Sequence, residues 1–176
     1  MTALIMSVFG CTQQSQLPGG VQGSAASMKI VEKLSPAALK IIEEGLADDN
    51  PQVRVNAIET VADNKMMRFM PKVGQMLKDE VVPVRFAATM AIADTDYQPA
   101  KFYLDRLLRD KNENVRIAAI YAIAKMNYPS NLKLYGNKKA NLEYLKALEP
   151  LGKAITSSDQ TVRANAALIL GKSGSP

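Results

Sequence analysis

Four arginines, Arg54, Arg85, Arg116 and Arg163, each follow a valine, and Asp48, Asp79 and Asp110 stand six residues before the first three. A guanidinium is a permanently charged planar fork, so this spacing suits two kinds of chemistry: bidentate pairing with a carboxylate, or capture of an anionic ligand. The structural use is the stronger expectation, with each Arg half-buried beside a carboxylate and the end of a helix, tying one segment of the chain to the next. The fourth set departs from the pattern, with Ser157 in the aspartate's place and Asp159 nearby. The only thiol is Cys11, and there is no His. That removes Ser-His and Cys-His dyads, His-containing metal sites and any internal disulfide. No catalytic residue, metal or cofactor is expected.

The elements that must position these arginines form a repeat. The stretches "LADDNPQVRVNAIETVA" (46–62), "LKDEVVPVRFAATMAIA" (77–93), "LRDKNENVRIAAIYAIA" (108–124) and "ITSSDQTVRANAALILG" (155–171) align, with intervals of 31, 31 and 47 residues between their arginines. A fixed period in this range marks stacked supersecondary units, none of which can bury its apolar face alone. Each unit reads as two helices. The first carries apolar residues at helical spacing, such as Leu39, Ile42 and Leu46, and has a proline near its start: Pro36, Pro71, Pro99 or Pro150. A polar turn follows, and the second helix begins just before Val-Arg. Its inward positions recur as Val53/Val84/Val115/Val162, Ala57/Ala88/Ala119/Ala166 and Val61/Ile92/Ile123/Leu170. Small Ala at mid-helix allows close approach, and branched residues fill the layers on either side. Aromatics make up only 6% of the chain and Trp is absent, which agrees with a helical Ala/Leu/Ile/Val/Met core.

The pattern Leu-x-Asp, turn, Val-Arg-x-x-Ala resembles HEAT repeats, in particular the short type also found in phycobilisome-lyase-related proteins. The resemblance spans about Pro36 to Lys172 and implies an all-α, right-handed α-solenoid of about four two-helix repeats, near 36–64, 65–95, 96–126 and 142–173. It further implies a scaffold whose stacked second helices line a concave face that holds a protein or peptide.

Two features point to where binding would occur. Residues 127–141 interrupt the period, and Tyr128, Lys133, Tyr135, Lys138 and Lys139 make a basic-aromatic cluster there. Either this is a loop kept solvated by its lysines, or it is a functional insertion on one face of the array. The second feature lies on the second helices, opposite their inward Ala. Val55, Phe86, Ile117 and Ala164 occupy one position, and Glu59, Met90, Tyr121 and Leu168 the other; seven of these eight are apolar. An exposed apolar stripe marks an interaction surface; the alternative is that another segment covers it as secondary core. The binding reading singles out Val55, Phe86, Met90, Ile117, Tyr121 and Leu168.

The N-terminal "MTALIMSVFG" is apolar, and "TQQSQLPGGVQGSAAS" after Cys11 is polar and aperiodic. This arrangement resembles the lipobox of bacterial lipoproteins, although no basic residue precedes the apolar run and Phe9 is bulky for the motif. The resemblance implies a signal segment over 1–10, lipidation of Cys11, a flexible tether over 11–28 and a repeat domain over 29–176. It places the chain in the cell envelope, anchored by lipid, with Thr12 favouring the outer membrane. The alternatives are a cytosolic subunit or cap of a larger assembly, and a lyase- or glycosylase-related enzyme. The net charge of +5 is dispersed, and no nucleic-acid partner is expected. The apolar end "LILGKSGSP" leaves Ile169 and Leu170 as an open edge through which copies would self-associate.

Overall fold

The computed structural model describes residues 25–127 and 138–173, with side chains described over 35–127 and 142–173. Cys11, Tyr128, Lys133 and Tyr135 lie outside the described residues, and Lys138 and Lys139 are described in backbone only. The chain divides into two compact units, Met1–Pro36 and Ala37–Pro176. Of the first, the described part is the beginning of helix α1 (Ala25–Gly45), which holds Pro36 within it. Helix therefore starts at Ala25, inside the segment expected to be tether; the paired Ala25 and Ala26 are strong helix formers. The remaining description concerns residues 37–176.

Every element among the described residues is helical, and the unit is an α-solenoid. Its second helices are α2 (Pro51–Asp63), α4 (Val82–Thr95), α6 (Glu113–Asn127) and α9 (Gln160–Ser173). The first helices are the end of α1, then α3 (Met70–Gln75), α5 (Lys101–Leu107), and the pair α7 (Lys138–Ala147) and α8 (Glu149–Ala154). Several are short and run into 3-10 turns. Pro71 and Pro150 sit at the first turns of α3 and α8, where a missing N–H does no harm, and Pro99 lies in the 3-10 turn before α5. Consecutive second helices pack on each other along their length, α2 on α4 and α4 on α6, with α9 on α6.

The inward positions form the core. Val84, Val115, Val162, Ala88, Ala119, Ala166, Val61 and Ile92 are buried, while Val53, Ile123 and Leu170 are half-buried. Small side chains bring the helices close: a Cβ added at Gly45 would meet the Ala57 Cβ at 3.2 Å.

Two expectations are corrected. Met90, Ile117 and Tyr121 do not face solvent; they are 7%, 3% and 0% exposed. Helix α6 is packed on by α4, α5, α7, α8 and α9, and α4 by α2, α3 and α6, so Met90, Ile117 and Tyr121 opposite the Ala row are core as well, while Phe86 stays half-buried. Nor do Ile169 and Leu170 form an open edge. Ile169 is fully buried and Leu170 half-buried, because α9 turns this side onto α6 and α8.

Candidate functional site

The repeat arginines act as two-sided clamps. In each unit one nitrogen, Nη1, closes the unit's own inter-helix turn by donating to two carbonyls. Arg54 takes those of Asp48 and Asp49, Arg85 those of Asp79 and Glu80, Arg116 those of Asp110 and Lys111, and Arg163 those of Ser157 and Ser158. The opposite edge of the guanidinium grips the next unit. Arg54 donates from Nε and Nη2 to Asp79 at 3.0 Å each, and Arg85 does the same to Asp110 at 2.8 and 2.9 Å. The same aspartates also accept a backbone N–H two residues on, from Val81 and Asn112. Burial raises the Asp110 carboxyl, but the Arg85 and Asn112 hydrogen bonds and the charges of Arg85 and Arg116 outweigh it and hold its pKa below the ordinary value. Where Ser157 replaces Asp, Arg116 closes its own turn alone.

At the joint without that clamp, a different set of charges converges. Asp94 on α4 accepts from Lys125 on α6 at 2.9 Å and from Lys172 on α9 at 2.6 Å. One carboxylate thus ties the second helices of units two, three and four. Burial pushes Asp94 up, yet the two lysine hydrogen bonds and their charges leave its pKa lowered. Tyr121 lies close by, with Lys125 Nζ 5.4 Å from its ring centroid. Burial and the Asp94 charge push its hydroxyl up to about 12, against a smaller opposing effect of Lys172. Its hydroxyl is buried and has no hydrogen-bond partner among the described residues. Asn165 on α9 donates to Asn114 on α6 at 2.8 Å, completing the joint.

Between α2, α4 and α9 lies a cleft of about 190 Å³. Its floor is Phe86, Ala87, Met90 and Ala91 of α4. Glu59, Ala62 and Asp63 of α2 form one wall, and Leu168 and Lys172 of α9 the other, with Asp94 at the end. Glu59 and Asp63 are exposed and have no cation within reach among the described residues, whereas Asp94 is already neutralised. The cleft therefore offers an apolar floor beside an unpaired acidic wall. No member is a positioned nucleophile, and no acidic cluster among the described residues could hold a metal ion. What the cleft can do is seat an apolar side chain and pair a neighbouring cation.

Of the six stripe residues, Phe86, Met90 and Leu168 share this cleft. Val55 is half-buried against the core, and Ile117 and Tyr121 are enclosed. The charges were missed, although they stand in register: Asp63, Asp94, Lys125 and Lys172 each lie nine residues after a repeat arginine. Acids and bases recurring at one helical position are a legible signal for pairing between units: Asp94 meets Lys125 one unit on and Lys172 two units on, while Asp63 stays without a cation among the described residues.

No helix among the described residues is long and apolar enough to cross a membrane. A family model described as HEAT repeats matches residues 35–124 and 101–176. No curated protein matches the chain.

Proposed function

From the premise that this chain belongs to the HEAT-repeat family, we propose that it is a non-catalytic scaffold that holds a segment of a partner protein in the α2–α4–α9 cleft. HEAT repeats suggest a protein-binding role in general; the finer reading rests on the chemistry of this cleft. The observation that carries it is the juxtaposition of Phe86, Met90 and Leu168 with the unpaired Glu59 and Asp63. An apolar side chain on that floor leaves water, and an adjacent Lys or Arg meets the acidic wall, which sets orientation and speeds encounter. The partner segment is thus basic and apolar by turns. The reading extends to location: Cys11 carries a lipid, and residues after it tether the scaffold to an envelope membrane.

Peptide selection from a random displayed library tests the cleft. Enrichment of sequences pairing Lys or Arg with Leu, Met or Phe is expected, and Glu59→Lys/Asp63→Lys should abolish it. If both proteins select the same sequences, the cleft is not the binding site. Mass spectrometry of the chain isolated from its native membranes tests the anchor; an intact Met1 with a free Cys11 thiol contradicts it.

A further inference from the structure

A second surface lies on α5, the first helix of the third unit, away from the cleft. Phe102 is 69% exposed and Tyr103 39%, and the two rings meet edge to face at 5.9 Å. Cations flank both rings. Lys78 Nζ stands 5.1 Å from the Tyr103 centroid, and the Arg106 guanidinium 5.6 Å from that of Phe102. Arg109 joins Phe102 and Arg106 around an adjoining hollow, together with Asp105. None of Lys78, Arg106 and Arg109 pairs with a carboxylate among the described residues, in contrast to Arg54 and Arg85. The core of α5 is accounted for by Leu104 and Leu107, which are buried, so Phe102 and Tyr103 are surplus to packing.

We propose that this face of α5 is a peripheral docking site for an anionic lipid bilayer. Phe102 and Tyr103 are an aromatic projection: the phenyl ring enters the acyl boundary, and the amphipathic Tyr103 ring keeps its hydroxyl at the headgroups. Lys78, Arg106 and Arg109 surround the projection on long flexible stems, so their charged ends reach lipid phosphates while the rings enter the boundary. Asp105 is the single acid in the group, which leaves the surface cationic. The occupant follows from exposure and charge: a ring 69% exposed, set among three cations that have no carboxylate partner among the described residues, meets apolar and anionic groups side by side, as the surface of an anionic bilayer presents them. The site is independent of the peptide cleft and of the lipid on Cys11.

Vesicle flotation of the full chain carrying Cys11→Ser, which no lipid anchor can hold, tests the proposal. The chain should float with vesicles of equal parts phosphatidylglycerol and phosphatidylcholine, not with phosphatidylcholine alone, and high salt should release it. Binding should weaken roughly fivefold for each guanidinium removed by Arg106→Gln or Arg109→Gln, and roughly tenfold for Phe102→Ala. All three residues are exposed, so far-UV circular dichroism should not change. Absence of flotation with anionic vesicles, or equal flotation of the triple variant, overturns the proposal. So does retention on immobilised poly-glutamate through these residues without vesicle binding, which would assign the face to an acidic protein.

Discussion

The clamp between units two and three sets a measurable energy. Arg85 makes four hydrogen bonds, two to the Asp110 carboxylate and two to the carbonyls of Asp79 and Glu80, and the pair's side chains are only 14% and 10% exposed. Replacing Arg85 by Ala strands a mostly buried carboxylate and opens the turn, so a loss of about 3–5 kcal/mol is expected. Asp110→Ala strands the guanidinium but leaves its two carbonyl bonds, and should cost about 3 kcal/mol. Because both changes break the same bidentate pair, the double variant should fall short of additivity by about 2 kcal/mol. Arg85→Lys should recover little, since an ammonium cannot span both carboxylate oxygens and the two carbonyls. Urea denaturation followed by circular dichroism supplies the four stabilities of the cycle. An exposed pair such as Lys40–Glu44, at 3.6 Å, would couple by no more than about 0.5 kcal/mol. A coupling of that size for Arg85 and Asp110 would refute the claim that the arginines hold the units together.

Pairing, burial and backbone geometry across the chain set four further outcomes. Asp94 and Asp110 have pKa values lowered by their partners, so their contribution to stability is full above the ordinary carboxylate value and is lost as pH falls through the lower folded values. An acid titration of Asp94→Asn/Asp110→Asn should therefore show a shallower loss of stability below about pH 4 than the parent chain. Tyr121→Phe removes a buried hydroxyl that has no partner among the described residues and should stabilise the chain by about 1 kcal/mol, read by urea melts; a destabilisation would mean that the hydroxyl is bonded. In an ultraviolet titration, the Tyr121 phenol should ionise near pH 12, two units above an ordinary tyrosine. Lys65 adopts φ 50°, a left-handed conformation costly to side chains with a Cβ, so Lys65→Gly should raise stability by about 0.5–1 kcal/mol in the same melts.

Much of the architecture was legible because its causes are local. The Val-Arg pairs, the mid-helix Ala row and the early prolines each follow from a rule about one helix, and repetition made them visible. The arginine clamp was half legible. The sequence neighbour Asp48 lends Arg54 its carbonyl, whereas the carboxylate comes from Asp79, one unit on, and that choice depends on how units stack. The stripe failed for the same kind of reason. A helical wheel places Tyr121 opposite Ala119's layer but says nothing of α9, which follows the insertion and closes this side of α6. Phe86 and Leu168 kept some exposure because α2 and α9 stand apart over α4, and that gap is the cleft. Asp94 with Lys125 and Lys172 shows what a reading by register would add: charges at one helical position meet only once the units are stacked.

Methyl NMR of the chain during titration with a selected basic-apolar peptide tests the scaffold reading most directly. Saturable shifts are expected at Met90 and Leu168, which border the cleft, with Leu46 and Leu151 in the core unmoved. Unmoved Met90 and Leu168 at saturating peptide, or shifts confined to another face, would contradict it.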